Sequence, residues 1–137
     1  LVVRAIDAGQ PINTAWQDEA PLYSAARYGD VALIKALLGR GAHPDKPQNA
    51  GQTPLMAAVL YHHKDAVELF VSRGANVNVR SKQGRTALMI AAMTGDADIA
   101  ATLVRHGTNL NVRDELGMTA ADYAKEERHP EILALLK

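Results

Sequence analysis

His62-His63, with Asp65 two residues on, is the part of this chain nearest in composition to a metal or acid–base site. Imidazole and carboxylate do ligate zinc, but a helical zinc pair needs the His-Glu-x-x-His spacing, which places both rings on one face. Adjacent histidines point in different directions, and that spacing is absent. Glu126-Glu127 could be drawn as an acid/base pair, yet neighbouring helical residues share no substrate, and no nucleophile with base and orienting group accompanies them. His43 and His129 read as turn and cap residues, and His106 before Gly107 suits a helix carboxyl end, where a cation is favoured. The chain has no cysteine, which removes thiol catalysis, disulfides and cysteine-based zinc sites. No catalytic residue, metal, cofactor or small-molecule substrate is expected, and the chain is not read as an enzyme.

Fifteen basic and fifteen acidic residues give a formal net charge of zero, so nothing pulls the whole molecule toward nucleic acid or an anionic surface. Arg80, Lys82, Arg85 and Arg113 could form a basic stripe across neighbouring loops, but Asp114 and Glu115 interrupt it. That argues against nucleic acid as the partner. There is no run of about 18 apolar residues, hence no membrane insertion through a helix. The opening at Leu1 without methionine or signal segment reads as a piece of a longer product. The compartment stays open, leaning marginally to the cytoplasm over a secreted or periplasmic setting.

The elements that must position any binding residues come from a repeat. Ala20-Pro21-Leu22, Thr53-Pro54-Leu55, Thr86-Ala87-Leu88 and Thr119-Ala120-Ala121 recur at 33-residue steps, and Gly41, Gly74 and Gly107 keep the same step. Such a period describes stacked small units. In the second unit Thr53 can cap a helix begun by Pro54 and ended near Tyr61. Leu55, Ala58 and Val59 have helical spacing. A second helix over about Asp65 to Ser72 buries Val67, Phe70 and Val71 and is closed by Gly74. Asp30 and Asp96 precede the equivalent helices as caps. Each helix is only about 12 Å long, too short to persist alone, so neighbouring units must supply the stability. The expected architecture is all-α: one domain over 1–137, with a partial unit (1–17), three full units (18–50, 51–83, 84–116) and a capping unit (117–137). Leu1 to Ala8 reads as a second helix without its first.

Gly51-Gln52-Thr53-Pro54-Leu55, Ala91-Ala92, Gly95-Asp96, Leu37-Leu38 and Gly74-Ala75-Asn76-Val77-Asn78 together resemble the ankyrin repeat family over nearly the whole chain. The resemblance implies a solenoid of antiparallel helix pairs joined by outward β-hairpin-like loops. Departures carry their own expectations. Tyr23, Met56, Met89 and Asp122 replace the family's histidine, so that polar link is missing or altered. His62 and Arg128 stand at the register of Gly29 and Gly95, where a left-handed non-glycine residue costs roughly 1–2 kcal/mol. Either the chain turns differently there or it carries strain. Pro44-Asp45 in place of Val-Asn suggests a different bend in the first loop.

The family's cupped-hand form implies a partner surface of first-helix ends (the palm) and loops (the fingers). Carried onto this sequence it comprises Arg27, Tyr28, Leu60, Tyr61 and Met93 on the palm. Trp16, Lys82, Arg85, Leu116 and Met118 lie on the fingers, with Glu115, Glu126 and Glu127 acidic at the far end. Tyr123 is expected to pack inside the last unit. With aromatics and arginine enriched at hot spots, these residues suggest a non-catalytic protein-interaction module, monomeric within a longer chain. The competing reading is a structural or regulatory spacer.

Overall fold

The computed structural model describes residues 21–136, so Trp16 and the half unit expected over 1–17 lie outside them. Among the described residues there are eight α-helices and no strand. They form four pairs: α1 (Pro21–Tyr28) with α2 (Val31–Gly39), α3 (Pro54–Leu60) with α4 (Lys64–Ser72), α5 (Ala87–Thr94) with α6 (Ala97–Arg105), and α7 (Ala120–Glu126) with α8 (Pro130–Leu135).

Local chemistry starts and stops each helix. The Thr53, Thr86 and Thr119 hydroxyls accept from the amides of Met56, Met89 and Asp122 at 3.2–3.3 Å. Asp30 and Asp96 accept from Leu33 and Ile99 at 3.1 Å, satisfying donors that a helix start leaves free. At the other ends, Ala42, Ala75 and Thr108 amides donate back to Leu37, Phe70 and Leu103 carbonyls, with Gly41, Gly74 and Gly107 left-handed between. This is the glycine-dependent closure expected from the repeat.

First helices pack in one row (α1, α3, α5, α7) and second helices in another (α2, α4, α6, α8). Ala26, Ala57, Ala58, Ala91, Ala92 and Ala124 are wholly buried, and these small side chains let the first helices approach. Ile34, Leu37, Val67, Phe70, Ile99, Leu103 and Ile132 fill the space between the rows. Burial of a side chain of this size contributes about 1.5–3 kcal/mol, which offsets the poor stability of the isolated short helices.

The departures resolve individually. His62 and Arg128 adopt the left-handed conformation, at φ 63° and 60°; the turns are kept and the strain is accepted. The first loop keeps the ladder between units, since Asp45 accepts from the Asn76 amide at 2.8 Å as Asn78 accepts from that of Asn109 at 2.7 Å. Its tip bends differently: Asn49–Gly51 form a 3-10 turn with Ala50 left-handed at φ 63°, which the equivalent Gln83 and Leu116 are not. A carboxylate oxygen replaces an amide oxygen in the same ladder between units. The missing histidine link takes a different form in different units. Met56 and Met89 are buried, Tyr23 donates to Gln52 at 3.1 Å, and Asp122 returns a bond to the Thr119 amide, forming a capping box.

Candidate protein-interaction surface

The first-helix row brings Tyr28 and Tyr61 together, because they hold the same register at the ends of α1 and α3. Arg27 lies against both rings, its guanidinium carbon 5.5 Å from the Tyr28 centroid and 5.8 Å from that of Tyr61. Each such contact contributes about 0.5–1 kcal/mol when exposed. Tyr28 is 70% exposed and Tyr61 44%. Behind them, His63 Nε2 lies 2.9 Å from the Arg27 carbonyl, a bond that requires its N–H at that nitrogen.

Beside this cluster, between the second and third units, lies a recess of about 90 Å³. Leu60, Ile90 and Met93 line its apolar wall; Gln52, Thr94 and Arg85 supply its polar groups. Leu60 and Met93 are half-buried and packed on the core, so they act as floor rather than as projecting contacts.

The fingers are hairpin-like. Gln48, Ser81 and Asp114 amides donate to the carbonyls of Gln52, Arg85 and Met118, and adjacent fingers are joined by Lys82 N–H to Ala50 and Glu115 N–H to Gln83. The suggested basic stripe is largely engaged in holding this row. Arg80 donates to the Arg113 carbonyl at 2.6 Å and to Gly84, and Arg113 donates to Gly117 at 2.7 Å. Lys82 is exposed.

Arg85 turns inward. Its Nε is buried and 3.6 Å from Asp114 Oδ2, and its guanidinium carbon lies 5.9 Å from the Tyr123 ring centroid. The Asp114 side chain is fully buried. It accepts from the Tyr123 hydroxyl on one oxygen and from the Leu116 and Met118 amides, both at 3.0 Å, on the other. Burial alone would raise the Asp114 carboxyl, but the Tyr123 and amide hydrogen bonds, with Arg85, outweigh it and hold it below the ordinary range. Burial and donation to that carboxylate push the Tyr123 phenol up. Tyr123 is packed in the last unit as its position suggested.

Asp114 is the residue that sequence reasoning undervalued, treating it only as a break in a basic stripe. Its signal was positional: it shares the register of Gln48 and Ser81, the polar residue at each finger's base. On the outer side of the finger Leu116 is 67% exposed, whereas Met118 is half-buried against the core.

The histidine pair diverges. His62 Nδ1 meets Asp96 Oδ2 at 3.2 Å, while the His63 ring lies over Gly29, so close that a Cβ there would be 2.5 Å from it. His129 stands at the α8 cap but makes no side-chain cap bond; its ring covers Gly95 in the same manner. His106 Nδ1 meets the Thr102 carbonyl at 2.8 Å at the end of α6. Among the described residues no group of three or more His, Asp or Glu could hold a metal, and no helix is long and apolar enough to cross a membrane.

A family model described as ankyrin repeats (3 copies) matches residues 1–81 and again 63–137. No curated protein matches the chain.

Proposed function

The chain belongs to the ankyrin repeat family, and from that premise we propose that it binds a protein segment across its first-helix ends and fingers. The fold is a non-catalytic interaction scaffold. What supports this particular face is the exposed Arg27–Tyr28–Tyr61 cluster. Large amphipathic rings preorganised by a stacked arginine match the composition of interface hot spots. Leu60 and Met93 extend the apolar surface, Lys82 and Leu116 stand exposed along the finger edge, and Arg85 and Met118 lie between. A spacer role would leave that cluster without a use. Nucleic-acid contact is disfavoured because Arg80 and Arg113 are bonded to loop carbonyls.

Peptides selected from a random display library on the wild-type chain provide the test. Tyr28→Ala/Tyr61→Ala should weaken them by about 30-fold, roughly 2 kcal/mol, and amide shift changes should fall on the palm and fingers rather than on α2, α4 and α6. Undiminished affinity in a folded double variant would reject the surface. Affinity falling steeply with salt would favour nucleic acid instead.

A further inference from the structure

We propose that the recess between the second and third units takes one leucine- or methionine-sized side chain of the partner, with an adjacent aspartate or glutamate of that segment held by Arg85. This rests on the reading of the surface just given and names the chemistry of its occupant.

The size and wall of the recess select the anchor. About 90 Å³ is several times the roughly 10–15 Å³ that admits one water, so the recess has room for an aliphatic side chain. Water against Leu60, Ile90 and Met93 finds few partners, so its displacement by an apolar group is favourable.

Arg85 selects the neighbour. Its guanidinium makes no hydrogen bond of ordinary length, although Nε is already removed from solvent. Asp114 balances its charge from 3.6 Å, but that carboxylate is satisfied by Tyr123, Leu116 N–H and Met118 N–H. The guanidinium therefore retains donor capacity beside an apolar recess, and a carboxylate is the acceptor that gains most from it. Exposed Lys82 on the same finger adds positive charge beside it. Glu115, Glu126 and Glu127 lie on the next finger and last helix pair. The surface continues past the recess in both directions, from Tyr28 and Tyr61 to Leu116, so the segment crosses it rather than ending there.

The test uses the display-selected peptides on the intact chain. Selected sequences should share a Leu, Ile or Met within two positions of an Asp or Glu. Alanine at the peptide anchor should cost about 30-fold in affinity, as should Thr94→Met, which narrows the recess at a lining residue and leaves Tyr28 and Tyr61 in place. Arg85→Lys keeps a charge beside Asp114 but loses the fork; it should weaken the acidic peptide about tenfold and leave the Asp→Asn peptide unchanged. Urea melts verify that both variants are folded. Binders that depend on Tyr28 and Tyr61 but ignore Thr94→Met, or that lack the acidic neighbour, overturn this inference and leave the wider surface standing. Binders indifferent to all four positions overturn both. A selection that enriches no such pair also overturns it.

Discussion

Two arginine–tyrosine clusters sit at opposite ends of the described stack, and they do opposite things. At the first end, Arg27 rests between Tyr28 and Tyr61 with all three in or near solvent. At the other, Arg85 lies over Tyr123 with its Nε buried. The residue types and ring distances are nearly the same. What separates them is one carboxylate: Asp114 takes the Tyr123 hydroxyl and two finger amides inside the protein. The rings of the open cluster stay exposed at the surface instead. A buried acceptor turns the same pair into structure.

Removing that carboxylate is the severest way to break the contrast. Asp114→Ala strands the Tyr123 hydroxyl, two amides and a half-buried cation, and should cost about 3–5 kcal/mol, read as a lower urea midpoint at unchanged slope. Tyr123→Phe removes one bond to a charged acceptor and should cost about 1.5–3 kcal/mol by the same measurement. Acid sharpens the comparison without mutation. Because the folded Asp114 carboxyl is held below its ordinary 3.8, its contribution is complete above the unfolded value and is lost as pH falls through the lower folded one. Stability should therefore decline below about pH 4, and Asp114→Asn, itself less stable, should show a shallower acid slope. The capping-box carboxylate Asp122, lowered chiefly by the Thr119 amide bond, titrates in the same direction and accounts for part of the remaining slope. Smallest of all should be Tyr28→Ala, within about 0.5 kcal/mol of wild type in stability. A loss as large as that of Tyr123→Phe would mean the open cluster is structural too.

Much of the fold was legible because its determinants are local and repeat. Thr53, Asp30 and Asp96 cap as their positions indicated, and Gly74 closes a helix at the expected place. His62 and Arg128 show where the register outranks residue preference. The repeat demands a left-handed turn, and packing on both sides imposes it on side chains that disfavour it. The first loop does depart from the others, but at its tip, where Ala50 is left-handed, rather than at Pro44-Asp45. The ladder needs only an acceptor oxygen at that position, and a carboxylate supplies one as well as an amide does.

The surface was less legible. Tyr28, Tyr61 and Leu116 project as their register suggested, but Arg85 and Met118 belong as much to the interior as to the face. Sequence distance hides this, since Arg85, Asp114 and Tyr123 come from two adjacent units.

From residue order alone came the 33-residue period, the helix pairs, their caps and the glycine closures, the caps and closures being set by interactions spanning a few positions. The tertiary structure decided which polar residues were withdrawn from water and which stayed at the surface. Burial is a property of the neighbouring unit's position, and desolvation fixes Asp114 inside the stack while Arg27 and its two rings stay exposed.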